Sequence, residues 1–107
     1  MGRGYNSFMF DFPLENIRFG DVRSATASLN RLAVHHTGFE TIVPILLNAL
    51  ETAADPDRSL VNFERFAENY GQQLIPVLEQ NPRVVEILVT LFSASQFLTE
   101  ILLRNPQ

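Results

Sequence analysis

Two Asx-Pro pairs, Asp55-Pro56 and Asn81-Pro82, each stand immediately before a stretch whose apolar residues recur every three or four positions. An Asp or Asn side chain can accept a hydrogen bond from a first-turn N–H. Proline suits the first helical position, where the N–H it lacks would have no partner anyway. Such punctuation marks helix starts, and it commits a large part of the chain to short helices rather than strands.

The same signature recurs along the chain in other forms. Asp21 can cap a helix in which Val22, Ala25, Leu29, Leu32 and His36 share one face, with Arg23 and Arg31 toward solvent. Thr37-Gly38-Phe39-Glu40 reads as a capping box for a second helix, with Phe39, Ile42, Val43, Leu46, Leu47 and Leu50 on a broad apolar face. Pro44 lies inside that helix and is expected to kink it. After Asp55-Pro56-Asp57, the residues Leu60, Phe63, Phe66, Ala67 and Tyr70 form a stripe, with Glu64, Arg65 and Glu68 opposite. Gly71 supplies a left-handed stop. A short helix with Leu74, Ile75 and Leu78, interrupted by Pro76, leads to Asn81-Pro82.

Residues 83–92 are apolar almost all round, so this element is expected to be central and buried. Its valines would also suit a strand, and the cap at Asn81-Pro82 favours helix. Ser93 and Gln96 have the spacing of a further capping box, ahead of a last helix with Phe97, Leu98, Ile101 and Leu102 inward. Residues 1–20 differ: Phe8, Phe10 and Phe12 alternate with Met9 and Asp11, the period of an extended segment. The expected architecture is therefore all-α. It is a compact array of five to six short helices, an irregular bundle or short superhelical stack, with an extended aromatic arm over 1–20 and a helical domain over 21–107.

Composition narrows the chemistry. With 107 residues the chain can bury one modest core but not a deep cleft. Cysteine is absent, which rules out disulfides, thiolate metal sites and a cysteine nucleophile. All eight basic residues are Arg, so there is no lysine for a Schiff base or a phosphate-binding loop. The arginines are scattered over a chain of net charge −4, which disfavours nucleic acid. No apolar run reaches the roughly 18 residues that span a bilayer. No signal peptide is visible at the start, and a cytoplasmic location is expected.

The candidate reactive residues have simpler readings. His35 and His36 are adjacent, so on a helix they point about 100° apart and cannot chelate one ion together. Asp55 and Asp57 form a D-x-D, but capping accounts for both carboxylates. Glu64 and Glu68 are four apart, and a solvated face with Arg65 nearby is the expected setting. Ser93 and Ser95 have no histidine at a triad spacing, and caps and turns account for them. No catalytic, cofactor-binding or metal-ligating residue is assigned.

Three stretches carry a resemblance. They are Asp55-Pro56-Asp57-Arg58-Ser59-Leu60-Val61-Asn62-Phe63-Glu64-Arg65-Phe66, Asn81-Pro82-Arg83, and the run from Leu91-Phe92-Ser93 through Gln96-Phe97-Leu98 to Arg104-Asn105-Pro106. Together they resemble the helical region preceding the first nucleotidyltransferase domain of the glutamate–ammonia-ligase (glutamine synthetase) adenylyltransferases. The family's catalytic signature, a Gly-Ser followed by paired aspartates on a strand, has no counterpart in this sequence. The resemblance implies a non-catalytic N-terminal module of a longer, adenylyltransferase-like protein, packing on its own catalytic domain or contacting glutamine synthetase. ATP and magnesium would belong to that downstream domain. The alternative is a free-standing interaction or oligomerisation domain, using Phe8, Phe10 and Phe12 as a clasp between copies. A helical enzyme built around His35 and His36 ranks third.

Overall fold

The computed structural model describes residues 12–94, and within them every regular element is a helix. There are five: α1 (Val22–His35), α2 (Phe39–Glu51), α3 (Pro56–Tyr70), α4 (Leu74–Gln80) and α5 (Pro82–Ala94). The all-α expectation holds, and residues 83–92 are helical rather than extended. The aromatic alternation at Phe8 and Phe10, and the last helix expected around Phe97–Leu102, lie outside the described residues.

Most helix boundaries follow the local signals. Asp21 accepts the Ser24 N–H at 3.1 Å and starts α1. Asp55 accepts the Arg58 N–H at 3.1 Å, with Pro56 as the first residue of α3. Gly71 ends α3 at φ +93°. At Asn81 the chain turns from α4 into Pro82, but the side-chain amide donates back to the Val77 carbonyl of α4 at 2.9 Å.

Three local expectations are corrected. The capping box at Thr37 does not form: Gly38 at φ +86° is the N-cap of α2, with no side-chain cap. The Thr41 hydroxyl, whose one proton is shared between the Gly38 carbonyl at 2.7 Å and the Glu79 carboxylate, caps no N–H of this turn. Pro76 does not interrupt α4, because it falls within the first turn, where a missing N–H is tolerated. Ser93 does not start a new helix; it is buried within α5. Pro44 does sit inside α2, which runs through it from Phe39 to Glu51.

The core forms where α3, α5 and α2 meet. α5 packs on α3 and α2, α1 covers α3, and α4 fills the side against α2 and α5. Phe39, Phe63, Phe92, Leu46, Leu50 and Leu78 are fully enclosed. Phe66 and Phe92 bring α3 and α5 together with ring centroids 5.7 Å apart, a tilted pairing that aromatic quadrupoles favour. α5 is less encircled than its composition suggests: Ile87 is 53% exposed, while Val85, Leu88, Val89 and Phe92 face inward. Ahead of α1, Leu14 and Ile17 join the same core, and Phe12 and Phe19 pack against it.

Two polar groups are satisfied across the α3–α5 contact, alongside its large apolar side chains. Ser59 is fully buried and its hydroxyl donates to the Val89 carbonyl at 2.7 Å. The Ser93 hydroxyl accepts the N–H of Asp55. One serine from each helix thus ties α3 to α5, an arrangement that a bulky side chain at either position would separate.

Candidate functional site

A group of polar side chains lies between α1 and α3. Arg31 and Ser28 occupy one side of α1, with His35 and His36 at its end. Glu64 and Glu68 come from α3. The Arg31 guanidinium donates through Nε to Glu64 Oε2 at 2.6 Å and through Nη2 to Glu64 Oε1 at 2.9 Å, a bidentate pair. Nη2 also donates to the Ser28 hydroxyl at 3.1 Å. The Glu64 side chain is 12% exposed against 53% for Arg31, so the carboxylate sits in the α1–α3 seam while the arginine reaches in from solvent.

Glu64 therefore does not lie on a solvated face, and its partner is Arg31 rather than Arg65. Burial pushes its carboxyl up. The hydrogen bonds from Arg31 and Ser28, together with the arginine's charge, outweigh that, so the group stays below the ordinary carboxylate range. A carboxylate so held is ionised and occupied at neutral pH, which suits a structural clamp better than a general base. A sequence signal for its burial existed: Glu64 is four residues after Leu60 and three before Ala67, which places it on the flank of the apolar stripe.

The other candidates are dispersed. Asp55 and Asp57 do not converge on a shared point. The Asp55 carboxylate caps α3, whereas Asp57 accepts the N–H groups of Gly20 at 2.7 Å and Asp21 at 3.1 Å. His35 is exposed, its carbonyl accepting the Gln72 amide at 2.7 Å, while His36 is buried. Among the described residues, no three His, Asp or Glu side chains are grouped so as to hold a metal ion. None of the helices described is long and apolar enough to cross a membrane.

Helix, cap and seam define the class: among the described residues, a small all-α unit. Its sequence is similar to a part of a much larger protein. Over 66 residues it is 39% identical to the bifunctional glutamine synthetase adenylyltransferase/adenylyl-removing enzyme of Xanthobacter autotrophicus, covering 61% of this chain and 7% of that enzyme. It is 33% identical over 90 residues to the enzyme of the same name from a Bradyrhizobium species, covering 82% of this chain and 9% of the relative. With that of Leifsonia xyli subsp. xyli it shares 30% identity over 100 residues, 88% of this chain and 10% of the relative. The resemblance read from the Asp55–Pro106 text is upheld, and with these relatives it extends well beyond half of the chain. The chain spans about a tenth or less of the length of the curated relatives it matches. No family model matches the chain, and no solved structure does.

Proposed function

We propose that this chain is a non-catalytic helical module of a glutamine synthetase adenylyltransferase-like protein. It acts in the cytoplasm by packing on the catalytic part of that enzyme or by contacting the glutamine synthetase that the enzyme modifies. The observation that carries the reading is the similarity of 30–39% over 61–88% of the chain to a segment that makes up only 7–10% of each relative. The polar groups support it: Asp21, Asp55 and Asp57 accept helix-start N–H groups, and Glu64 is engaged by Arg31, which leaves their lone pairs committed to the fold.

The test uses the isolated chain. Incubated with ATP, magnesium and glutamine synthetase, it transfers no AMP. Added to the Xanthobacter autotrophicus enzyme from which the matching segment has been deleted, or to glutamine synthetase, it binds in a calorimetric titration. AMP transfer by the chain alone overturns the non-catalytic role, and failure to bind either protein overturns the module.

A further inference from the structure

The corner between α1 and α2 turns on a single residue. The His36 N–H donates to the Leu32 carbonyl at 2.9 Å and closes α1, while its own carbonyl accepts the N–H of Phe39, the first residue of α2, at 3.1 Å. The imidazole is 4% exposed, and its Nδ1 is enclosed with no hydrogen-bond partner. A neutral ring can leave one nitrogen unpaired as a bare acceptor. A protonated ring carries an N–H on both nitrogens and needs an acceptor for each.

The surroundings pull in opposite directions. Burial and the neighbouring His35 oppose a charge on the ring, whereas Glu68 and Glu64 of α3 favour one. The negative end of α1 favours it too. Glu64 is already held by Arg31 on its bidentate face, and Glu79 of α4 accepts from Thr41 of α2. Glu68 is exposed, one helical turn beyond Glu64 on α3.

We propose that His36 is a proton-operated latch on the α1–α2 corner, seated in the core when neutral and swinging outward to pair with Glu68 when protonated, which releases the corner. This reading is independent of the adenylyltransferase assignment. Burial holds the imidazole below its ordinary value of 6.5, so the unfolded chain takes up the proton first as the pH falls. Stability is then full above about pH 6.5, falls as the pH drops from there toward the depressed value of the folded protein, and levels off beneath it. Glu64 remains ionised through this window, since its own carboxyl lies below the usual range.

The experiment is a histidine NMR titration of the full chain, wild type and Glu68→Gln, combined with amide exchange at Phe39 corrected for the intrinsic pH dependence. His36 is expected to take up its proton below the pH of a solvent-exposed imidazole. Phe39 exchange should quicken at least several-fold over the same step. Glu68→Gln should move the His36 titration lower by roughly 0.3 pH unit or more, as loss of a nearby charge requires. In His36→Gln the quickening disappears; if that variant does not fold, the other two proteins decide. A His36 that titrates like a free imidazole, exchange at Phe39 that does not follow it, or a titration unmoved by Glu68→Gln would each overturn the latch.

Discussion

The carboxylate of Asp57, in the first turn of α3, accepts the N–H of Gly20 at 2.7 Å and that of Asp21 at 3.1 Å, tying the start of α3 to the start of α1. Asp21 in turn caps α1, and the Ser24 N–H and hydroxyl hold its carboxyl below the usual range. Two helix beginnings are therefore joined through one side chain 36 residues away. Asp57→Ala removes the acceptor for both N–H groups, and since the contact is partly solvated, water replaces some of what is lost. The expected cost is about 1 kcal/mol, read as a fall of roughly 4–8 °C in Tm. Asp57→Asn, which keeps one acceptor oxygen, should lose about half as much.

The Arg31–Glu64 clamp predicts an asymmetry between its two partners. Arg31→Ala strands a carboxylate that is 12% exposed, while Glu64→Gln leaves a neutral amide opposite a half-exposed arginine. The first variant should be the more destabilising, by about 1–2 kcal/mol, well under the cost of breaking a fully buried pair because Arg31 is 53% exposed. Chemical denaturation of both variants and of the double variant gives the coupling directly. Equal losses for the two single variants would contradict the seam geometry.

The same pair fixes an acid limb of stability. Glu64 has a folded-state pKa below its ordinary 4.5, so folding favours its ionised form. The contribution is present above about pH 4.5 and is lost as the pH falls through the depressed value, because the unfolded chain then binds the proton the folded one refuses. In Glu64→Gln this limb flattens. Unfolding midpoints measured between pH 5 and pH 2.5 for wild type and variant compare the two slopes.

Ser59 reports on how closely α3 and α5 approach. Ser59→Ala removes the hydroxyl that donates to Val89, and a loss of about 1 kcal/mol is expected. Ser59→Leu forces extra atoms into a position with no exposed surface and should cost about 1–3 kcal/mol. It should also reduce the near-ultraviolet circular dichroism of the Phe66–Phe92 pair, whose rings span the same two helices. A Leu variant as stable as wild type would show that the helices can part without penalty.

Gly71 separates backbone strain from crowding. A Cβ there would meet nothing within 4 Å, yet φ is +93° with ψ −166°, a conformation open essentially to glycine alone. Gly71→Ala is thus expected to cost about 1–3 kcal/mol in thermal unfolding without any clash. Gly38→Ala combines a milder left-handed conformation, φ +86° and ψ 2°, with a Glu79 oxygen 3.3 Å from the new Cβ. Because that oxygen is the end of a flexible side chain, most of the roughly 1 kcal/mol loss should persist in Gly38→Ala combined with Glu79→Ala.

The elements themselves were legible in the chain, because what makes a short helix begin and end is local. Asp21, Asp55-Pro56 and Gly71 act within four residues of themselves, and Leu60, Phe63, Phe66 and Ala67 of α3 face inward as their spacing requires, although Tyr70 at the end of that stripe is exposed. Local signals misled where a nearby competitor won. A left-handed glycine displaced Thr37 as the cap of α2, and the apolar run of α5 carried the helix past Ser93. What no local reading could supply was pairing between residues about 30 or more apart. Arg31 with Glu64, Ser59 with Val89, and Asp57 with Gly20 exist because α1, α3 and α5 pack in one particular order and register. A periodicity says which face of a helix turns inward, but not which helix it will meet. The spacing set Glu64 beside the apolar stripe of α3 and His36 on the inward face of α1, but what each meets there, and so what its burial costs, was settled by that meeting.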